Sequence, residues 1–395
     1  MFGNTTNSNL SEQTIQNLNN QIALGNIGGI VFISISMIVG IPGNVIVIYI
    51  YLRKYQPSTH RTFIVCLAIL DLASCCLSMP FFITVLRYPI EFFSNDVVCK
   101  IFHFLTYCLI IGSGFVLVTI AAERHRKICT PHGKQLSEKM SKYVCIIDLL
   151  LAGLLSWPGA VLYGNNKYIV GRRGPEGIQC TVSDDFAGTK YPSYFSFVLL
   201  FLFIISIIPI FIMYTLIGKQ LWKMNKRSYR KNQATAISEV PCSTVTYNAA
   251  ATQSSEDKDT NLKKNSISIL SSECKGDNEI ISDDTQQYNN TKNTKDGKGN
   301  KKNRERNKTI AFTRIFFIIT VVLIISFCPH WGLRFADFIN KDFLANLSFA
   351  EIVAYQTFRW SFFINSIANP IIYGLYDRTF KHEVHIMFGR ANNYP

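Results

Sequence analysis

IFHFLTYCLIIGSGFVLVTIAA, residues 101–122, runs without a break into Glu123-Arg124-His125-Arg126-Lys127. The apolar part contains no Asp, Glu, Lys or Arg, and as a helix it spans roughly 33 Å, enough to cross the hydrocarbon core of a bilayer. The charged run marks where the helix leaves the lipid. A glutamate beside an arginine at that mouth can pair with it in one state and exchange partners in another. The alternative is that the five residues only anchor the helix end by the positive-inside tendency.

Six further segments pass the same test: 27–52, 62–86, 143–163, 193–218, 309–333 and 352–373. The fold expected is an all-α integral membrane protein, a bundle of seven transmembrane helices. An odd number of crossings puts the termini on opposite sides. Arg53, Lys54 and Arg61 in the first connection, and Arg126, Lys127, Lys134, Lys139 and Lys142 in the second, place those loops in the cytosol. The N-terminus is then extracellular, in a multi-pass protein of the plasma membrane. The chain divides into an outer tail (1–26), five helices (27–218), a long third cytoplasmic loop (219–308), two helices (309–373) and a cytoplasmic end (374–395).

The formal charge of +14 raises a nucleic-acid partner. Its concentration on the inward loops argues instead for topology and for attraction to the anionic inner leaflet of the lipid bilayer. Residues 1–26 are polar and Asn-rich, without the apolar core of a cleaved signal, so the first span is expected to be the insertion signal. Asn4, Asn9 and Asn346 begin glycosylation sequons on the outer side; Asn289 and Asn307 match the same pattern in the cytosolic loop, by chance. Of eleven cysteines, this topology leaves only Cys99 and Cys180 on the oxidising face outside the membrane, and they are expected to form a disulfide. Loop 219–308 is rich in Ser, Thr, Asn and Lys and is expected to be disordered in its middle, with basic ends that continue the helices.

Ionisable groups inside a bilayer are costly unless paired or hydrated. Asp71 lies mid-span, and Asn44, Ser113, Asn365, Ser366 and Asn369 lie at comparable depth on three other helices. Together their oxygens suit a small cation; the alternative is a hydrogen-bond network that holds the helices in register. Asp148 in the fourth span has no partner that the sequence reveals. Prolines 42, 80, 158, 209, 329 and 370 fall in or near spans, and Pro329 and Pro370 break the backbone ladder between an outer cavity and the inner face.

Gly43-Asn44-Val45, Leu67-Ala68-Ile69-Leu70-Asp71-Leu72, Cys99, Glu123-Arg124-His125, Cys180, Pro209, Phe327-Cys328-Pro329 and Asn369-Pro370-Ile371-Ile372-Tyr373 occur in one order and spacing. In this set the chain resembles a rhodopsin-like (class A) G-protein-coupled receptor over nearly its whole length. Phe380, with Asp377, Arg378 and Lys381, fits that family's short amphipathic eighth helix. The resemblance implies that Glu123 restrains Arg124 at rest, and that Arg124 turns to a heterotrimeric G protein as Tyr373 swings inward. It implies roles in this switch for Phe327, Pro329, Asn369 and Pro370. It also implies that Asp71, Ser113, Asn365, Ser366 and Asn369 hold an allosteric sodium ion; no other cofactor is expected. The chain departs from the pattern at His125, at Phe327 in place of Trp, at Ile217 in place of Tyr, at Thr309 in place of an acid, and at the missing mid-depth Trp of the fourth span.

The position of the amine-receptor Asp falls on Thr106 and that of the opsin Lys on Phe363, so neither a protonated amine nor a Schiff base has its anchor. His330, Arg334 and Arg359 on the outer halves of the last two helices, with Arg87, Lys100, His103 and Thr106 nearby, point to an anionic ligand group. For Arg359 the alternative is an internal ion pair with Asp337 or Glu351. Tyr168-Ile169-Val170 and Cys180-Thr181-Val182 around Gly171-Arg172-Arg173-Gly174-Pro175 read as a β-hairpin with a basic tip. Such a lid resembles that of the family's neuropeptide receptors, which favours a peptide ligand, with an anionic lipid or nucleotide as the alternative. The tail after Phe380 has no Ser, Thr or Cys, so arrestin recruitment would use the third cytoplasmic loop. A transporter would need inverted repeats, and an enzyme would need a nucleophile with a base or clustered metal ligands; neither is evident.

Overall fold

The computed structural model describes residues 3–91, 95–169, 176–238, 285–340 and 343–389. Two compact units are present, one of residues 1–222 and 307–395, the other of residues 223–306.

In the first unit, α1 (Gly3–Gly25) and α2 (Ile27–Lys54) are separated only by Asn26, whose backbone stays near helical at φ −82° and ψ −2°. The second span is built from α3 (Thr59–Ala73), a π-helical turn (Ser74–Ser78) and α4 (Met79–Arg87). The wide turn sits just before Pro80, where the missing N–H would leave a gap in a regular ladder. Helices α5 (Asp96–Cys129) and α6 (Glu138–Leu162) follow, both opened by side-chain caps, from Asn95 to Val97 N and from Ser137 to Met140 N. α6 runs straight into β1 (Tyr163–Ile169), which pairs antiparallel with β2 (Glu176–Val182), Asn165 opposite Cys180. The hairpin expected from the sequence is present and begins earlier than the Tyr168 expected; the basic tip 171–175 lies outside the described residues.

Helices α7 (Tyr191–Ser238) and α8 (Thr285–Ile339) extend past the loop boundaries at 219 and 308. Their portions in residues 223–238 and 285–306 belong to the second unit, and the middle of the loop, 239–284, lies outside the described residues. The seventh span differs from an unbroken 352–373. It starts earlier, as α9 (Phe349–Arg359) behind a Ser348–Glu351 capping box, turns through a 3-10 segment (Ser361–Phe363), and resumes as α10 (Ile364–Tyr376). For this reason six helical stretches among the described residues, not seven, are long and apolar enough to cross a membrane, and the seventh crossing is divided by the 3-10 segment. The break is held open by polar contacts: His330 Nδ1 meets the carbonyl of Arg359 at 2.7 Å, and Ser361 Oγ donates to the carbonyl of Ser326 at 2.7 Å, in the turn before Pro329. The amphipathic α11 (Arg378–Met387) follows, capped by Asp377.

Residues 1–26 are not simply a tail, since α1 is helical and lies against α4, α9 and α2. The start of α2 approaches α9 so closely that a Cβ on Gly28 would meet Thr357 Oγ1 and stand 2.5 Å from Val353 O. The main core, including Val47, Phe63, Leu67, Val116, Ile319 and Tyr373, lies among the spans, whereas residues such as Ile38, Leu150, Leu154 and Phe211 point outward, as lipid-facing positions do.

Candidate functional site

Three polar layers follow one another along the bundle from the disulfide end to the Arg124 end. The first is a cavity of about 490 Å³. Its wall holds all five residues picked from the sequence, His103, Thr106, His330, Arg334 and Arg359. Among the described residues no Asp or Glu lines it. Trp331 Nε1, Trp360 Nε1 and His103 Nε2, all on cavity residues, have no hydrogen-bond partner among the described residues. The two guanidiniums and the two indole N–H groups give the site fixed donors, the complement of an anionic or carbonyl-rich group.

Neither proposed acid pairs directly with Arg359. Its Nη1 donates to the Tyr355 hydroxyl at 3.2 Å, and that hydroxyl donates to Asp337 Oδ2, so the acid is reached only through a phenol. Glu351 is engaged in the Ser348 cap. Arg334 lies within electrostatic reach of Tyr163 and Tyr107. Thr106 Oγ1 already bonds Ser78 Oγ at 2.9 Å and the carbonyl of Phe102 at 2.8 Å, and His103 stacks on Tyr163 with ring centres 4.2 Å apart. Arg87 and Lys100 are not on the wall: Arg87 donates to Asn20 at 3.1 Å and Lys100 pairs with Asp96. Cys99 and Cys180 are bonded, which fixes β2 over the outer end of α5.

Sequence reasoning missed Gln356, Tyr163, Ile22 and Asn26, which also line the cavity. Asn26 Nδ2 donates to the carbonyl of Leu86 at 3.0 Å, and Asn19 Nδ2 to that of Arg87 at 3.3 Å, so α1 satisfies the open C-terminal end of α4. The seven-residue spacing of these two asparagines puts them on one helix face, the only signal for this docking in the sequence.

Phe327 lines both this cavity and a second, of about 20 Å³, which Ser113, Asn365 and Ser366 also line. The ring is stacked on Phe203 at 5.2 Å. Beyond it, Asn369 Nδ2 donates to Asp71 Oδ2 at 2.6 Å, and Asn44 Nδ2 to the carbonyl of Ser366 at 2.9 Å. Asp71 Oδ1, Asn369 Oδ1 and Asn44 Oδ1 are buried and without a hydrogen-bond partner among the described residues. An orphaned carboxylate oxygen beside two orphaned amide oxygens and serine hydroxyls is a donor set that fits a sodium ion, and the small cavity has room for one ion or water. Gly43 lets this layer close, because a Cβ there would stand 2.9 Å from Pro370 Cβ. Asp148 has a partner in Thr119 Oγ1 at 3.0 Å.

The third layer is ionic. Glu123 Oε2 lies 2.6 Å from Arg124 Nε, while its Oε1 takes Lys127 Nζ at 2.9 Å and the Thr59 hydroxyl at 2.8 Å. Glu123 and Arg124 are 5 % and 1 % exposed, which makes this a desolvated pair rather than a surface anchor. Tyr373, with its hydroxyl buried, packs on Tyr51 and Phe380. Tyr51 and Tyr55 both donate to Asp377 Oδ2 at 2.7 Å, fastening α11 to α2; burial and the adjoining carboxylate push the Tyr55 phenol well up.

The family model of the seven-transmembrane receptors of the rhodopsin family matches residues 43–373. The neuropeptide S receptor of Macaca mulatta is 26% identical over 193 residues, 47% of this chain and 48% of the relative. The C3a anaphylatoxin chemotactic receptor of Danio rerio is 29% identical over 202 residues, 50% of this chain and 53% of the relative. Nematocin receptor 2 of Caenorhabditis elegans is 27% identical over 161 residues, 36% and 40%. The chain spans about half the length of these relatives or less.

Proposed function

Because the chain belongs to the rhodopsin family of seven-transmembrane receptors, which are receptors and not enzymes, we propose that it binds an extracellular peptide bearing an acidic group and signals through a heterotrimeric G protein. The observation that carries this reading is the outer cavity, where two guanidiniums and two indole N–H groups face a wall without a carboxylate among the described residues. Its volume of about 490 Å³ suits a few residues of a peptide, and the Cys99–Cys180 hairpin sits at its side. Relatives named for neuropeptide S, C3a and nematocin support a peptide over other anions.

In this reading the protein sits in the plasma membrane with its N-terminus outside. The ligand's acid pairs with Arg359 and Arg334, drawing the outer half of the seventh span towards α8. That strain reaches Phe327, the floor of the cavity and the roof of the polar layer below. Asp71, Ser113, Asn365, Ser366 and Asn369 would hold a sodium ion, whose charge would favour the resting packing of that layer. Asn369, Pro370 and Tyr373 then shift, with Pro329 as a bend point, and Arg124 leaves Glu123 for the G protein. Arrestin recruitment uses the third cytoplasmic loop.

The test is calcium release through a promiscuous G protein, driven by a library of peptides with free or amidated C-termini, beside Arg359→Gln and Arg334→Gln. The expected result is an acidic peptide agonist whose potency falls at least tenfold in each variant. Agonists that are all neutral or cationic, and keep their potency in both variants, refute the acidic contact. Activation only by an anionic lipid or nucleotide replaces the peptide and keeps the arginines.

A further inference from the structure

Arg124 is 1 % exposed, so no cytoplasmic partner reaches it until a covering group moves. On the α8 side that cover is aromatic. The guanidinium carbon of Arg124 stands 5.4 Å from the centre of the Phe316 ring, and Phe316 is itself 0 % exposed. One turn nearer the α8 end, Phe312 meets the imidazole of His60 on α3, with ring centres 4.2 Å apart and planes inclined by 31°. Residues four apart share a helix face, so Phe312 and Phe316 form a single stripe. Residues 307–334 include no Asp or Glu, so this stretch of α8 has no carboxylate with which to hold Arg124.

We propose that the resting state is locked by this aromatic stripe, Phe316 capping the Arg124 guanidinium through its π face while Phe312 stacks on His60, so that α8 is tied to α5 and α3 at once. The ring quadrupole attracts a cation, and it does so more strongly where both groups are out of water, as here. Phe316 also fills space in the core beside Phe63, Leu67 and Val116, a role that a leucine can largely take over. Leucine has no π face, so it separates the two roles. Both contacts sit near the start of this unit's part of α8 and break together when that end withdraws, which makes the lock cooperative. Thr59 precedes His60 on α3 and holds Glu123, so the stripe and the Glu123–Arg124 pair share one support.

The functional meaning rests on Arg124 as the G-protein contact, and the test therefore uses neither G protein nor agonist. Nitroxides are placed at Lys139→Cys and Lys308→Cys, both exposed, in purified full-length receptor with Cys76, Cys129, Cys242, Cys274 and Cys328 replaced by alanine. Pulsed EPR then reads the distance between the α6 and α8 ends. Phe316→Leu and His60→Ala are each expected to raise the long-distance population at least fivefold. Phe316→Trp and His60→Phe, which keep a ring, are expected to leave the distribution as in the parent. His60→Ala carries the test if Phe316→Leu does not fold, because His60 is not part of the buried core. An unchanged distribution in the folded ring-removing variants overturns the lock, and so does opening in the ring-keeping ones. A receptor that opens here yet couples to no G protein fails the functional reading while leaving the lock intact.

Discussion

Glu123→Gln removes the charge on which three partners converge, and the geometry fixes the direction of its effect. The carboxylate faces Arg124, Lys127 and Thr59 within 3 Å, and it is nearly inaccessible to water. Breaking a buried ion pair from one side costs roughly 3–5 kcal/mol, because the remaining charge is left without a counterion. Only the share specific to the resting arrangement shifts the balance between states. If about 1.4 kcal/mol of the loss is specific in this way, the active population rises about tenfold. Lys127→Met should act in the opposite direction. Lys127 competes with Arg124 for the same carboxylate through a side chain 29% exposed, a contact worth about 0.2–1 kcal/mol. Removing it leaves Arg124, among the described residues, as the one cation at Glu123, beside the Thr59 hydroxyl, so basal activity should fall, by no more than about fivefold. The measurement is agonist-free GTPγS binding in membranes with a promiscuous G protein, at matched receptor density. Basal exchange in Glu123→Gln at or below the parent, or a rise in Lys127→Met equal to that in Glu123→Gln, refutes the shared-carboxylate account.

Asp377→Ala removes the acceptor of two phenol hydrogen bonds and the cap of α11, a combined loss of about 3 kcal/mol that should abolish hydrogen-exchange protection over Arg378–Met387 while the spans stay protected. Cys99→Ser releases a bridge across 81 residues, a constraint worth about 4 kcal/mol in the chain-entropy account, and should lower the midpoint of thermal unfolding in detergent by several degrees. Gly28→Val drives side-chain atoms into Val353 O and Thr357, so it should abolish surface expression, whereas Gly114→Ala, with nothing within 4 Å of its Cβ, should be expressed like the parent. Asp71→Asn removes the carboxylate of the cation set, so sodium should no longer raise the melting temperature of the purified receptor as it does for the parent.

The bundle was legible because a crossing helix must be long and apolar, a constraint strong enough to read residue by residue, and the Cys99–Cys180 pair followed from which cysteines that topology leaves outside. The break at Trp360 was not legible, since Trp360, Ser361, Phe362 and Phe363 read as ordinary helix; the contacts that open it come from Ser326 and His330, about 30 residues away. Helix α1 shows no apolar stripe, and its docking depends on two asparagines meeting carbonyls 60 and 68 residues on. The five cavity residues converged because they were chosen as polar groups at one depth. The link from Arg359 to Tyr355 was available in principle, being a pair four apart on one helix, but the relay onward to Asp337 crosses between helices.

The docking of α1 also sets an order of manufacture. Gly25 at the end of α1, with Gly28 and Gly29 at the start of α2, is shaped for Ile352, Val353 and Gln356, so the entry to the first crossing waits for the seventh. Until the seventh crossing is inserted, one wall of the outer cavity has nothing to lean on. Contacts so distant along the chain form slowly, and the nascent receptor must be kept from aggregation for the whole interval. Quality control that probes the folded outer cavity would therefore sense insertion of the seventh crossing.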